Sequence, residues 1–204
     1  MARQAQGSRR RRPVIYIVCE GSQTEMRYFR RFRTRDSIID IHPVDSKKKS
    51  AVDIVKNAQR SIMPDIYYPS DGDQIWCVFD RDSNTNENLS EAERLAGKSG
   101  YRIAYSNPAF ELWFLLHFVH QQGYIEDCDD AIRLLSQNGR LPGYTKTGDY
   151  FELLRANMGA VVERAGMLMK RHLEDRNTLL CRESNPCTTV GELVSFLLER
   201  ASRV

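Results

Sequence analysis

The sequence predicts an α/β fold: a mainly parallel sheet flanked by helices, with a helical C-terminal part. Two observations carry that expectation. Short, continuously apolar runs (VIYIVC at 14–19, QIWCVF at 74–79) alternate with amphipathic segments through the first hundred residues. Buried parallel strands read as such runs rather than as clean in–out alternation, and helices between them pack on both faces. Beyond residue 106 helical periodicity takes over. The 204-residue chain is 41% hydrophobic and 28% charged, which suits a soluble domain with a substantial core and not a disordered chain.

The elements follow in order. Residues 1–12 read as a flexible basic arm, with Arg9, Arg10, Arg11 and Arg12 in an unbroken run. A strand-like segment follows without a small-residue cleavage pattern, so the arm is not read as a signal peptide. Residues 13–106 form the α/β core. Val14–Cys19 is its first strand, Gly21 and Ser22 turn the chain, and a helix runs from Gln23 to Arg33 with Met26, Phe29 and Phe32 on one side. Ser37–Val44 is a second strand. Ser50 caps a helix from Ala51 to Met63, and Pro64, Pro69 and Gly72 mark a loop. Gln74–Phe79 is the third strand, Leu89–Lys98 a helix stopped by Gly100, and Tyr101–Tyr105 the fourth strand.

Residues 107–204 form the helical part. In SNPAFELWFLLHF, Asn107 is placed as an N-cap and Pro108 at the first helical position. Further helices are expected over 127–137, over one long stretch from Tyr150 to Leu173, and over SNPCTTVGELVSFLLER, where Thr189 and Glu192 have capping-box spacing.

Net charge is only +3, but basic residues cluster: Arg9–Arg12, then Arg27, Arg30, Arg31, Arg33 and Arg35, then Lys47, Lys48 and Lys49. Any one cluster reads equally as a solvated face. Three in the first quarter of the chain point to a polyanionic partner, nucleic acid first. The five cysteines are odd in number and lack a CxxC pair, as expected of reduced thiols in a cytoplasmic protein. No apolar run is long enough to span a membrane, so no membrane partner is expected.

Ligands of parallel α/β sheets bind beyond the carboxyl ends of the strands. Glu20 follows the first strand directly, and Asp80 and Asp82 follow the third. In an extended segment residues i and i+2 point the same way, so the two aspartates can converge. Three carboxylates repel one another, and a divalent cation relieves the repulsion. Oxygen-only ligands favour Mg²⁺ or Mn²⁺ over zinc. Simpler readings stay open: RDSNTN is turn-rich, and Glu20 stands where a helix N-terminus welcomes an acid.

Further residues carry two readings. Glu25 is either a further ligand or an exposed glutamate beside an arginine. Glu111, with Asn107, either borders the metal site from the fourth-strand side or is an ordinary first-turn acid. Lys146, after Tyr144 in GYTKTGDY, either reaches a phosphate or is a solvated loop lysine. His117 reads as a core histidine, since no HExxH is present. Neither GxxxxGK[ST] nor GxGxxG occurs, so no ATP or dinucleotide site is expected in this chain.

In that order, VIYIVCEGSQTEMRYF, WCVFDRDSN, SNPAFELWFLLHF and SNPCTTVGELV resemble the RloB-like family over roughly residues 13–198. Its members are small prokaryotic proteins built around a Toprim-type domain and often encoded near restriction or phage-defence genes. The resemblance implies a Toprim-like (Rossmann-like) fold whose signature glutamate and DxD fall on Glu20 and on Asp80 and Asp82. It implies Mg²⁺- or Mn²⁺-dependent cleavage of phosphodiester bonds in DNA or RNA, tRNA included. Asp80 and Asp82 would hold a metal; Glu20 would serve as general base or acid, or as ligand to a second metal. A basic Tyr-x-Lys motif falls on Tyr144 and Lys146. No topoisomerase tyrosine or primase zinc module is recognisable, which leaves a nuclease, an effector of anti-phage defence restrained by an ATPase or sensor partner. A homo-oligomer stays open. The alternative is a non-catalytic nucleic-acid-binding or scaffolding subunit; a nucleotidyl or phosphoryl transferase is the third reading.

Overall fold

The computed structural model describes residues 11–19, 23–33, 38–43, 50–82 and 84–202. Five strands form one sheet in the order β2–β1–β3–β4–β5. These are β1 (Val14–Cys19), β2 (Ile38–Pro43), β3 (Gln74–Asp80), β4 (Arg102–Asn107) and β5 (Cys187–Thr188). The first four run parallel, and β5 pairs antiparallel with β4 at the sheet edge. The arrangement is compatible with a Rossmann-like fold. Cys19 lies opposite Val78 and Asp80 opposite Ser106, so the carboxyl ends of β1, β3 and β4 adjoin.

Both faces of the sheet are covered, and alternate strand residues feed two cores. On one face Ile15, Ile17, Trp76, Val78 and Ala104 pack against α1 (Gln23–Arg30), α4 (Glu111–Leu116), α7 (Met158–Glu174) and α8 (Val190–Ser202). On the other, Tyr16, Val18, Ile75, Cys77, Phe79 and Tyr105 pack against α2 (Ala51–Ser61) and α3 (Asn86–Ser99). This double burial explains the unbroken apolar runs: neither face of β1 or β3 has water to meet. Between α4 and α7 lie α5 (Cys128–Ser136) and α6 (Phe151–Arg155). Among the described residues no helix is long and apolar enough to cross a membrane.

Several caps stand where local chemistry puts them. Ser50 accepts the Asp53 N–H, Thr85 the Asn88 N–H and Asp127 the Asp130 N–H. Gly100 closes α3 in the left-handed conformation. Arg11 is tied to the core: its guanidinium meets both oxygens of Asp73 at 2.8 and 2.9 Å, and Asp73 also accepts the N–H groups of Val14 and Tyr68. Residues 1–10 lie outside the described residues.

Three expectations are corrected. Asn107 is not a helix cap. It is the last residue of β4, fully buried, and its side-chain amide donates to the carbonyls of Cys181, Arg182 and Ser184. The helix begins four residues later, at Glu111. Thr189 turns its hydroxyl to the Tyr105 N–H on β4 at 2.9 Å in place of the expected capping box. The single helix expected from Tyr150 to Leu173 is two helices, α6 and α7, broken at Ala156 and Asn157.

Candidate active site

A cleft of about 380 Å³ opens at the carboxyl edge of the parallel strands. Each wall comes from the segment that leaves a strand or from a loop folded over it. Thr24 and Glu25 come from the first turn of α1, Asp80, Arg81 and Asp82 from the end of β3, and Pro108 to Glu111 from the exit of β4. Glu126, Asp127 and Cys128 at the start of α5 close one side, and Lys146 reaches in from a loop. Among the described residues six carboxylates and two cations line the cleft. A cleft so lined attracts cations and repels a bare phosphate.

Packing beneath the cleft fixes the walls. Tyr28 of α1 lies edge-on or tilted against Phe110, Trp113, Phe114 and Phe151, with ring centroids 5.6–6.4 Å apart. Such pairs contribute about 0.5–1.5 kcal/mol each beyond area burial. They lock α1 to α4 and α6, so Glu25 and Glu111 line the cleft from held elements. Thr24 donates its hydroxyl to the Lys146 carbonyl at 3.0 Å, joining α1 to the Tyr144–Lys146 loop.

The two aspartates share the cleft, but not by strand alternation. β3 ends at Asp80, and the Asn84 N–H closes a turn onto the Arg81 carbonyl at 2.8 Å. Within that turn Asp82 takes a positive φ of 34°, uncommon for a residue with a Cβ. DRD is thus both a turn and a cleft wall. Arg81 pins the turn across the cleft by donating to the Glu126 carbonyl at 2.7 Å. Asn84 holds it from below, donating to the Asp80 carbonyl and accepting the Ala51 N–H of α2.

Glu111 is a buried carboxylate, 3% exposed. The Tyr144 hydroxyl donates to Oε1 at 2.9 Å, and the Cys128 thiol to Oε2 at 3.4 Å. Burial, then the Glu111 charge, pushes the Cys128 thiol up to about 12, so it is protonated and able to donate. The same two causes raise Tyr144 above its ordinary range. Burial works to lower the Lys146 ammonium, but Glu111, Cys128 and Asp80 outweigh it and the group is raised. Lys146 therefore carries its full charge at neutral pH.

The cleft gathers Asp80, Asp82, Glu25, Glu111 and Lys146 from the residues expected of a site. Glu25 is 5% exposed, which overturns the reading of an exposed surface glutamate. Tyr144 is buried behind the wall and acts on Glu111. Asn107 does not line the cleft, because its amide is engaged with the segment 181–185. His117 is a core histidine, its Nδ1 paired with the Leu154 carbonyl and its ring against Trp113. Glu20, Arg9, Arg10, Lys47, Lys48 and Lys49 lie outside the described residues. Arg81, Asp127 and Cys128 were not anticipated. Asp127 was visible only as the first residue of an expected helix; nothing local marked Cys128.

Among the described residues no group of three or more His, Cys, Asp or Glu side chains stands close enough to enclose a metal. The donor set is nonetheless oxygen-rich. Mg²⁺ is ordinarily held by one or two carboxylates with water and phosphate oxygens, not by an all-protein cage. Asp80 and Asp82 fit that mode.

No curated protein and no solved structure matches the chain significantly. The family model described as RloB-like protein matches residues 15–197, nearly the whole chain. The cleft, the DRD turn and all of the sheet but Val14 fall within that span, and the chain belongs to the RloB-like family.

Proposed function

We propose that this chain is a metal-dependent nuclease of Toprim type, cutting phosphodiester bonds of DNA or RNA in the cleft at the sheet edge. One observation carries the reading: Asp80 and Asp82 leave β3 into one cleft with the raised ammonium of Lys146. Asp80 and Asp82 would hold a Mg²⁺ or Mn²⁺ ion, with Glu20, which follows β1 directly in sequence, as a further ligand or the general base. Such an ion stabilises the charge that develops on the attacking and leaving oxygens. Lys146 offers a fixed positive charge to a non-bridging phosphate oxygen. Glu111 holds Lys146 charged, and Tyr144 and Cys128 hold Glu111 in place. The basic clusters of the first quarter of the chain would bind the nucleic-acid backbone away from the acidic cleft.

We place this activity in anti-phage defence, restrained by a separate ATPase or sensor, because an unregulated nuclease would be toxic to its own cell; neither nucleotide-binding motif occurs in this sequence, so any ATP site would lie in that partner. Expressing the chain in cells with and without neighbouring genes tests that setting; equal tolerance in both counts against it.

The activity is tested by incubating the intact protein, Asp80→Ala and Glu20→Ala with Mg²⁺ or Mn²⁺ and plasmid, single-stranded DNA or total tRNA. The expected outcome is cleavage by the intact protein alone, abolished by EDTA. Cleavage that survives Asp80→Ala sinks the assignment. A second reading, a non-catalytic nucleic-acid-binding subunit, is favoured by the lack of a ready three-donor cluster among the described residues. Binding without turnover under every metal condition would select it.

A further inference from the structure

Tyr124 is 70% exposed, the most exposed large hydrophobic side chain among the described residues. A lone exposed tyrosine is ordinary. The chain that carries it is not. Ile125 N–H and carbonyl both bond the Asn185 side-chain amide, at 3.0 and 2.7 Å. Asn185 is in turn held by Asn107 on β4, at 3.2 Å. Arg171 of α7 donates to the Gln122 carbonyl at 3.0 Å, and Arg81 of the DRD turn donates to the Glu126 carbonyl at 2.7 Å. Asp130 accepts the Glu126 N–H at 3.3 Å. Side chains from four separate segments fix residues 122–126, and only one ring on that stretch is left standing in solvent.

The direction of the ring follows from this pinning. A residue whose N–H and C=O meet one amide is extended, and neighbours in an extended segment alternate sides. Ile125 is fully buried. Tyr124 and Glu126 therefore share the outward side, and Glu126 lines the cleft. Tyr124 is two residues from Glu126, which lines the cleft, and two extended residues span about 7 Å, a separation that a neighbouring nucleotide can bridge.

We propose that Tyr124 is a stacking platform for an unpaired base of a single-stranded nucleic acid whose adjoining phosphate enters the cleft. The proposal deepens the nuclease reading and rests on it. An aromatic face presented from a pinned backbone can stack on any base, since every base offers a π-face. A duplex keeps its bases stacked on one another and cannot use the ring. The substrate class is thus single-stranded or locally unpaired nucleic acid.

Fluorescence anisotropy with labelled single-stranded DNA and RNA dodecamers, and with the same DNA as a duplex, tests this on the full chain in Mg²⁺, read immediately after mixing. Tyr124→Ala is expected to weaken single-strand binding roughly 5- to 150-fold. Tyr124→Phe should keep the affinity, because the ring and not the hydroxyl is used. Duplex binding and the salt dependence of single-strand binding should not change, since no charge is removed. The ring is solvated, so unaltered thermal melting is expected and checks that the fold survives. Unchanged single-strand affinity in Tyr124→Ala, or equal weakening toward duplex and single strand, overturns the platform while leaving the nuclease reading intact. If the intact protein binds no single strand, the platform falls, and the cleavage assay above judges the nuclease separately.

Discussion

Removing the hydroxyl of Tyr144 tests the inner wall of the cleft with little else disturbed. Tyr144→Phe keeps the ring that packs on Phe114 and Tyr150, at 6.0 and 5.3 Å between centroids. It deletes the donor to Glu111 Oε1 at 2.9 Å. What remains at Glu111 is a thiol donor at 3.4 Å and the field of Lys146. Hydrogen bonds to charged groups contribute about 1.5–3 kcal/mol, and the carboxylate here is buried, so the loss should fall in that range. For a chain of this size that lowers the melting temperature by about 3–12 °C. The cost belongs to the pair only if it vanishes when Glu111 is gone. A double-mutant cycle with Glu111→Leu, read by chemical denaturation, should show a coupling of about 1–3 kcal/mol. Strict additivity would refute the idea that Tyr144 acts on Glu111, and would leave it a packing residue.

Three further outcomes follow from other titratable groups. Burial, helped by Arg164 and opposed by the Leu154 carbonyl, lowers His117 to about 4. The neutral form is native, so its contribution is complete above the unfolded value near 6.5 and is lost as pH falls toward 4, on the order of 3 kcal/mol. Denaturation across that window should flatten in His117→Gln; an unaltered slope refutes the assignment. Asp73 is lowered: burial opposes its charge, but Arg11 and the N–H groups of Val14 and Tyr68 prevail. Its stabilisation is present above the unfolded value near 4 and fades as pH drops below it. Asp73→Asn should therefore lose stability at neutral pH by about 1–3 kcal/mol, and the gap to the intact protein should close in acid. Cys128, held near 12, should alkylate at pH 8 about a thousandfold more slowly than a free thiol. Glu111→Gln should speed it, and labelling at the free-thiol rate would contradict its protonated state.

How much of this was legible depends on how far apart in sequence the cause lies. β1 and β3 announce themselves because both faces are buried, and burial is a property of each residue in turn. SNP at 106–108 misleads because a good N-cap residue and a strand-end amide look alike locally. What decides between them is the segment 181–185, more than seventy residues away. The second SNP, at 184–186, meets the first across the sheet edge through Asn185 and Asn107. The break at Asn157 is hidden because apolar spacing runs on through it. In the cleft, the sequence shows which residues leave strand ends but not what supports them. Tyr144 reaches Glu111 from 33 positions away, and Arg81 reaches Glu126 from 45. The alternatives weighed for DRD were never exclusive: the turn is how the wall is built.

The charge on that wall gives the metal reading its sharpest consequence. Added salt ordinarily weakens nucleic-acid binding, because bound cations are released from the phosphates. On the proposed reading the order would be reversed locally, since among the described residues lining the cleft carboxylates outnumber cations six to two and a phosphate would enter only beside a neutralising ion. At constant ionic strength, replacing Na⁺ with Mg²⁺ should therefore tighten the binding of a short single strand, read by anisotropy immediately after mixing. The gain should disappear in Asp80→Ala, while binding through basic clusters elsewhere keeps its ordinary salt dependence. If Mg²⁺ weakens binding in the intact protein and in Asp80→Ala alike, the acidic cleft is not where the phosphate goes. The nucleic acid would then lie wholly on the basic surface, as a non-catalytic subunit requires.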